Sequence, residues 1–269
     1  MEFLILLIIG MATGVLAGLF GIGGGIIYTP VLFFVFSGSG VASPLLWTIG
    51  TSLFCNFAAS SSSTIQQIRL QNNHFRVGLW VGIIGIIGVY GGSFITTAAF
   101  YTEGVFVAVF VVLLLYISAL FFHRSRTENG GTERTAPPKL YEMAAAGTGG
   151  GLVAALAGLG GGIIVVPILN LLFKLPISKV VSISSAAVSV ISLSGWLRFS
   201  LMSSVQEGLT TWSIGYVDFG TGFPLILGAF AGGFAGATIS RHVQQEKLQR
   251  WFSLFVLVIA AVLIWDTYL

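Results

Sequence analysis

The feature that most constrains this chain is an internal repeat of a glycine-rich, apolar stretch. GVLAGLFGIGGGIIYTP at positions 14–30 recurs 137 positions later as GLVAALAGLGGGIIVVP at 151–167, with ten of seventeen residues identical. Each copy carries three consecutive glycines and closes with Pro30 or Pro167. Glycine and proline at this density interrupt a helix. A helix broken at matching places in two halves is typical of the substrate site of a secondary transporter.

Composition and charge indicate a membrane protein. The chain is 55% hydrophobic and 8% charged, against about 25% charged residues in an ordinary soluble domain. The basic residues responsible for the net charge of +3 fall in short loops between apolar segments, where orientation in a bilayer explains them. We therefore expect the lipid bilayer as a partner, and no nucleic acid.

Apolar segments of helical length occur in the same order in both halves. A crossing helix needs about 20 apolar residues, and the first two segments of each half are shorter, so each pair predicts a helical hairpin broken at the glycines. The expected fold is an all-α polytopic membrane protein with a first repeat over 1–122, a polar linker over 123–139 and a second repeat over 140–269. The predicted segments are 3–20, 24–36, 44–65, 77–99 and 104–122, then 141–157, 161–173, 180–199, 215–238 and 249–267.

The distribution of Lys and Arg distinguishes two topologies. If each hairpin returns to the side from which it came, eleven of the twelve basic residues fall on one side and Arg198 alone falls on the other. If each pair were one kinked spanning helix, the division would be seven to five. The positive-inside rule favours the hairpin, with the linker cytoplasmic and both termini outside. A returning hairpin plus three crossings ends on the opposite face, which predicts two inverted-topology repeats and alternating access.

The doubled motif resembles that of the TauE/SafE sulfite exporter family, also called TSUP. The motif residues are Gly18, Gly21, Gly23 to Gly25 and Pro30, then Gly158, Gly160 to Gly162 and Pro167. The likeness continues through GTSLF at 50–54, the basic residues Arg69, His74 and Arg76, and Gly88, Gly92 and Phe94 with their echoes Gly228, Gly232 and Phe234. The resemblance implies a carrier of a small organosulfur or sulfur oxyanion such as sulfite, sulfoacetate or another short sulfonate.

The two glycine triplets are candidate substrate-binding elements. Helix N-termini present unpaired N–H groups and a partial positive charge, and glycine lets an anion approach that backbone closely. Close helix packing through small residues is the alternative explanation. The candidate residues are Gly23, Gly24, Gly25, Gly160, Gly161 and Gly162.

Polar residues inside apolar segments supply further candidates, because each must be paired or face a wet cavity. Asn56 lies in the middle of the third segment, and Thr51 and Ser52 occupy places that match Ser184 and Ser185 in the second half. Their hydroxyl and amide groups can donate hydrogen bonds to sulfonate oxygens. For most serines, bonding within the helix or between helices is the competing interpretation.

Two arginines are candidates for the mouths of the transport path. Arg69 and Arg198 end matching helices, so inverted symmetry places them at opposite faces. The guanidinium fork can donate two parallel hydrogen bonds to an oxyanion. Snorkelling toward lipid phosphates is the alternative role.

Missing residue types narrow the mechanism. The acidic residues all fall in loops or at segment ends, which disfavours a proton relay through a buried carboxylate, and His74, His123 and His242 lie in loops. The sequence therefore predicts no metal site, no cofactor and no enzyme activity. We expect an alternating-access carrier of a small anion in the cytoplasmic membrane. An anion channel, or a carrier of another small solute such as a carboxylate, is the alternative, and a homo-oligomer is left open.

Overall fold

The chain folds almost entirely into helices. The computed structural model describes residues 2–20, 24–70, 74–124, 136, 138–204, 208–239 and 257–263. The helices of the first half are α1 (Glu2–Phe20), α2 (Gly25–Gly38), α3 (Pro44–Arg69), α4 (Phe75–Thr96) and α5 (Glu103–Arg124). The second half contains α6 (Leu140–Ala157), α7 (Gly162–Pro167), a π-helical turn (Ile168–Leu172), α8 (Ile177–Ser200) and α9 (Phe219–Ile239), and residues 257–263 are also helical. The first nine predicted segments match these helices to within a few residues, and of the tenth, 249–267, only 257–263 lies within the described residues.

The helices present apolar side chains outward, as a lipid environment requires. Within the described residues, three helices are long and apolar enough to cross a membrane: Phe75–Thr96, Ile177–Ser200 and Phe219–Gly236. Large apolar side chains on helix surfaces are strongly exposed, among them Ile87 and Phe94 on α4, at 69% and 78%. Water would penalise such a surface, whereas hydrocarbon does not. These properties fit a multi-pass membrane protein.

The helices are interrupted at the glycines, as the repeat predicts, whereas the two prolines differ in their effect. In the second half α6 ends at Ala157, and Gly158, Gly160 and Gly161 all have positive φ angles, of 67°, 71° and 81°. L-residues with side chains rarely adopt these angles. In the first half Pro30 lies inside α2, which continues to Gly38. The helix that follows the second triplet is short, because α7 passes into the π-helical turn after Pro167.

Two outer helix pairs pack through glycines, and each pair joins one half to the other. In the pair α1 and α9, the residue numbers of the contacting residues increase together along both helices. The contacts run from Leu7 with Gly228 through Met11 with Gly232 to Val15 with Gly236. In the pair α4 and α6 they run likewise from Val81 with Gly147 through Gly85 with Gly151 to Leu152 with Gly92. Both pairs are therefore parallel. Small residues let helix backbones approach closely in a membrane.

The centre of the molecule is formed by the third helix of each half. Contacts between α3 and α8 run in opposite senses, from Gly50 beside Phe199 through Leu53 beside Gly195 to Thr64 beside Ser189. These two helices are therefore antiparallel. Each also packs parallel to the fourth helix of the other half, α3 against α9 and α8 against α4.

A small feature that the sequence did not predict lies before α9. Ser213–Ile214 (β1) and Val217–Asp218 (β2) form a two-residue antiparallel hairpin, where the sequence predicted a helical segment beginning at 215. Asp218 is fully buried and accepts hydrogen bonds from the backbone N–H groups of Thr210 and Thr221 and from the Thr210 hydroxyl. The carboxylate therefore caps the start of α9 and holds the preceding loop to it.

Candidate functional site

Asn56 lies at the middle of the molecule and contacts the second glycine turn. It is the thirteenth of the 26 residues of α3 and has no exposed surface. Its amide Nδ2 donates to the carbonyl oxygen of Gly158 at 3.0 Å, and Ser52 Oγ, one turn away, donates to the same carbonyl at 2.8 Å. Two predicted site residues of the first half therefore bind the backbone of the second half.

The end of α6 is capped by side chains from three separate elements of the first half. The last carbonyls of a helix have no partner within it. Here Tyr101 Oη, in the loop before α5, donates to Leu156 O at 2.8 Å, and Thr29 Oγ1 of α2 donates to Ala157 O at 3.2 Å. Together with the bonds to Gly158 O, these contacts satisfy three successive carbonyls. They fix the glycine turn of the second half onto the first half.

The start of α2 reaches the same place. An added methyl group at Gly25 would lie 2.5 Å from Leu159 Cα, 2.7 Å from Gly158 O and 2.8 Å from Asn56 Nδ2. Only a residue without a side chain fits this contact. The N-terminal end of α2, with its partial positive charge, is therefore held against Asn56 and the turn of the second half.

The remaining predicted glycines have different neighbours. Gly23 lies outside the described residues. A methyl group at Gly24 would meet the Thr13 side chain at 2.6 Å and the ring of Tyr28. Gly161 faces the backbone of Gly150, where an added Cβ would collide, and Gly162 begins α7.

Gly160 borders the other side of the Asn56 amide. A methyl group there would lie 3.1 Å from Asn56 Cγ, 3.3 Å from Asn56 Oδ1 and 3.2 Å from Val188 Cγ1. Asn56 Oδ1 is buried and has no hydrogen-bond partner in the part of the chain that the structure describes. A buried unpaired acceptor costs about 1–3 kcal/mol, so this oxygen needs an explanation. The structure thus brings Gly25, Gly160, Ser52 and Asn56 together.

The other predicted polar residues do not join this group. Thr51 Oγ1 accepts a hydrogen bond from the backbone N–H of Asp218 at 3.0 Å, which holds the start of α9 against α3. Ser184 is buried on α8, and Ser185 Oγ donates to Val181 O of its own helix at 2.8 Å. The Ser185 contact is the within-helix bonding that competes with ligand binding.

The two predicted arginines stack on aromatic rings. Arg69 Cζ lies 5.2 Å from the ring centroid of Phe234 on α9, and Arg198 Cζ lies 5.6 Å from that of Tyr90 on α4. Each arginine ends the third helix of its half and contacts the fourth helix of the other. Such cation–π contacts stabilise by about 0.5–1 kcal/mol at exposed sites.

A cavity of about 720 Å³ lies at the end of the bundle where α3 begins and α4 and α8 end. Its wall is rich in hydroxyl groups, with Glu103 as the charged residue that contributes to it, and Arg198 is not part of it. Its lining includes Tyr101, which caps α6, and Tyr216, whose ring packs 5.5 Å from that of buried Trp47. Leu46 in the wall is ten residues before Asn56, which is about 15 Å along a helix.

Basic residues lie at the opposite end of the bundle. Arg69 ends α3, Arg76 begins α4, and Lys174 and Lys179 flank the start of α8. The pKa of His74, at the start of α4, is lowered by partial burial and further by Lys179. Positive potential at this end would raise the local concentration of anions.

Sequence reasoning missed Thr29, Tyr101 and Gly158 as parts of this centre. Thr29 is a hydroxyl-bearing residue inside an apolar helix, which is a detectable signal, and its Oγ1 lies 3.0 Å from Ser52 Oγ. Tyr101 falls in a loop and carries no such signal. The role of Gly158 comes from its carbonyl group, which every residue possesses.

Comparison with known proteins agrees with the motifs. The model of the sulfite exporter TauE/SafE family matches residues 6–263. The chain belongs to this family. A probable membrane transporter protein of Methanocaldococcus jannaschii is 28% identical over 252 residues, covering 92% of this chain and 91% of that protein. The probable membrane transporter protein YunE of Bacillus subtilis is 28% identical over 287 residues, covering 99% and 98%, and a probable membrane transporter protein of Haemophilus influenzae is 25% identical over 266 residues, covering 96% of each.

Membership in the TauE/SafE family confirms the resemblance drawn from the glycine motifs. The family and these relatives are membrane transporters by description, which agrees with the apolar helices and with the prediction that the chain is not an enzyme. Among the residues that the structure describes, no three His, Cys, Asp or Glu side chains cluster in a way that could hold a metal ion.

Proposed function

We propose that this TauE/SafE protein is a secondary transporter that moves a small organosulfur or sulfur oxyanion, such as sulfite, sulfoacetate or another short sulfonate, by alternating access. The observation that carries the proposal is the meeting of the two halves at Asn56. There the start of α2, the glycine turn at 158–161 and the mid-helix amide lie in direct contact. Such broken helices at the middle of a repeat interface are where carriers bind substrate.

The directions of the helices support two inverted repeats over 1–122 and 140–269. Helix α3 is antiparallel to α8, and α9 and α4 run parallel to α3 and α8 respectively, so α4 and α9 are also opposed. Helix α1 runs parallel to α9, and α6 runs parallel to α4. The first helices of the two halves, α1 and α6, are therefore also antiparallel in direction. In the first, third and fourth helices the two halves therefore run in opposite directions, as an inverted repeat requires.

Charge supports the orientation in the cytoplasmic membrane. Arg69, Arg76, Lys174 and Lys179 lie at the end of the bundle to which α3 runs, and Arg198 lies at the other end. The positive-inside rule then places the basic end and the linker at 123–139 in the cytoplasm and both termini outside. In this orientation the cavity lined by Tyr101 and Tyr216 opens to the outside.

An alternating-access carrier needs a barrier on at least one side of its site. Between the cavity and Asn56, α3 presents Trp47, which has no exposed surface and packs against Phe36 and Tyr216 with ring centroids 6.2 Å and 5.5 Å away. Toward the basic end, α3 presents small hydroxyl groups, including Ser60 and Ser63. The proposal assigns the aromatic group as the outer barrier and the serine-lined stretch as the inner path.

A counterflow experiment in proteoliposomes tests the proposal. With the membrane potential clamped at zero, vesicles loaded with unlabelled sulfite should accumulate labelled sulfite transiently above equilibrium, because a carrier couples the exit of one substrate molecule to the entry of another and a channel does not. The Gly161→Val variant is the matched inactive control, since its side chain would collide with the Gly150 backbone. Flux without counterflow would indicate an anion channel. Counterflow of acetate or oxalate in place of sulfite, sulfoacetate, isethionate and taurine would indicate a carboxylate carrier.

A further inference from the structure

Where the two halves meet, Asn56 Oδ1 is a buried acceptor to which no contact among the described residues gives a role. Asn56 has no exposed surface, and Oδ1 has no donor among the described residues. Buried acceptors in native proteins are almost always paired with protein, water or ligand. The atom that would pair with Oδ1 must carry a hydrogen or a positive charge.

The hydrogen bonds of Asn56 fix which way its side-chain amide is turned, so Oδ1 and Nδ2 cannot exchange places. Nδ2 lies 3.0 Å from Gly158 O and 3.5 Å from Ser52 Oγ. Turning the amide over would place Oδ1 against the Gly158 carbonyl, so that two acceptors would face each other. The donor side of Asn56 is therefore occupied by the protein, and the side that is left for a ligand is an acceptor.

Glycines border the Asn56 amide on both sides. Gly160 borders the oxygen, and a side chain there would begin 3.3 Å from Oδ1 and cover it. Gly25, at the start of the 14-residue helix α2, borders the opposite, Nδ2 side of the amide. A ligand here meets the positive end of a helix and a neutral acceptor oxygen together.

We propose that the transported anion itself donates a hydrogen bond to Asn56 Oδ1, so that the site selects a singly charged anion with an O–H or N–H group. Hydrogen sulfite and hydroxyl-bearing sulfonates have this chemistry, whereas the sulfite dianion, the sulfoacetate dianion and unsubstituted alkanesulfonates do not. The inference rests on the proposed function, because it concerns the same site. It makes Asn56 the residue that determines specificity.

This selection has a consequence for energy coupling. The predicted spans contain no mid-span acidic residue to relay a proton. If hydrogen sulfite is the species carried, each anion takes one proton across with it, held on the substrate and donated to Oδ1. Proton movement then needs no titrating side chain in the site.

Binding by the full-length protein in lipid nanodiscs, measured by isothermal titration calorimetry, tests the inference. Isethionate should bind about 5- to 100-fold more tightly than ethanesulfonate, because the two differ by the hydroxyl group that would pair with the buried acceptor. Affinity for total sulfite should fall about tenfold per pH unit above the second pKa of sulfurous acid. Equal affinities for the two sulfonates, together with sulfite affinity independent of pH, would overturn the inference.

Variants of α3 assign the effect to the correct atom. Asn56→Leu should remove the preference for isethionate and the pH dependence for sulfite. As a control outside α3, Ser200→Ala should retain both, because that exposed hydroxyl bonds to the Leu197 carbonyl of its own helix. Retention of the preference in Asn56→Leu would overturn the assignment. The wild-type pH series remains decisive if that variant fails to fold.

The outcomes separate this inference from the function on which it rests. Binding of sulfur anions without regard to a donor group would overturn the inference and leave the transporter proposal intact. Failure of every sulfur anion to bind would overturn both. Binding of ethanesulfonate as tight as that of isethionate, but only with sodium present, would make Oδ1 a cation ligand and overturn the donor assignment.

Discussion

The two central helices, α3 and α8, occupy matching positions in the two halves, yet their polar side chains make different hydrogen bonds. Thr51, Ser52 and Asn56 of α3 bind backbone groups of the second half. On α8, Ser185 and Ser189 donate to carbonyls of their own helix. Of these residues, those on α3 bond to backbone groups of the other half, whereas the two on α8 bond to backbone groups of their own helix. The site is therefore asymmetric, with its polar groups drawn mainly from the first half.

Distorting the turn that α3 holds should have the largest effect. Gly161→Val places a β-branched residue at a φ of 81° and against the Gly150 backbone, and such strain costs about 1–3 kcal/mol before any collision is counted. We expect near-complete loss of transport with some folded protein retained. Gly24→Val should also abolish transport, through collision with Thr13 and Tyr28. Counterflow and size-exclusion profiles measure the two properties, and normal transport by both variants would remove the glycines from the site.

The second prediction compares Asn56 with its counterpart on α8. The counterpart of Asn56 is Ser189, because the matching residues Ser52 and Ser185 are 133 positions apart. Asn56→Leu should lower substrate affinity by about 5- to 100-fold, whereas Ser189→Ala should change it less than twofold. Calorimetric titration of both variants with the best-bound sulfonate checks this. Equal losses of affinity in the two variants would show that both helices line the site and would contradict the asymmetry.

Thr51→Val tests a contact that stabilises the fold and is not expected to touch substrate. The change leaves the buried N–H of Asp218 without its partner, which costs about 1–3 kcal/mol. We expect a clearly lower apparent melting temperature with unchanged affinity in the folded fraction. Ser200→Ala is the control, since that exposed hydroxyl bonds to Leu197 O of its own helix. A weaker affinity with normal stability would move Thr51 into the binding site.

Removing the hydroxyl group of Ser52 or of its counterpart Ser185 should give a smaller difference in stability. Ser52→Ala removes one of two donors to Gly158 O, so we expect the free energy of unfolding to fall by about 0.5–1.5 kcal/mol. Ser185→Ala removes only a bond within its helix, so its melting temperature should shift by less than that of Ser52→Ala. Thermal unfolding followed by a thiol-independent fluorescence assay would measure both. A larger shift for Ser185→Ala would contradict the asymmetry.

The arginines should show the smallest effect, and a symmetric one. Arg69→Gln and Arg198→Gln each remove a cation that stacks on an aromatic ring. Such a cation–π contact stabilises the fold by about 0.5–1 kcal/mol. We expect similar small decreases in melting temperature and at most a modest loss of transport rate. A large loss of rate at low substrate concentration in one variant would show that this arginine attracts substrate.

The fold could be read from the sequence to the extent that it depends on local composition. The apolar segments, the breaks at the glycines and the basic side all follow from residue types along the chain, and the helices α1 to α9 agree with the predicted segments to within a few residues. The end of α7 in a π-helical turn and the hairpin at 213–218 were not predicted. Both depend on how the chain packs after Pro167 and before Asp218, and neither has a periodic signal.

The candidate site was predictable only in part. Asn56 stood out because a large amide in an apolar helix needs a partner, and the glycine triplets stood out because they repeat. The predicted equivalence of Ser52 and Ser185 did not extend to their contacts. A hydroxyl group bonds equally well to its own helix or to a neighbour, and only the neighbour's position decides between them.

By itself the sequence determined that this chain is a duplicated, helical membrane protein of the TauE/SafE family, because hydrophobicity and glycine placement are properties of the residues themselves. The tertiary structure decided which polar atoms meet. It placed four donors from the first half on three successive carbonyls at the end of α6, and it left Asn56 Oδ1 without a partner among the described residues. These facts depend on the relative positions of helices more than a hundred residues apart, and hydrogen bonds form only at short range and in a suitable orientation.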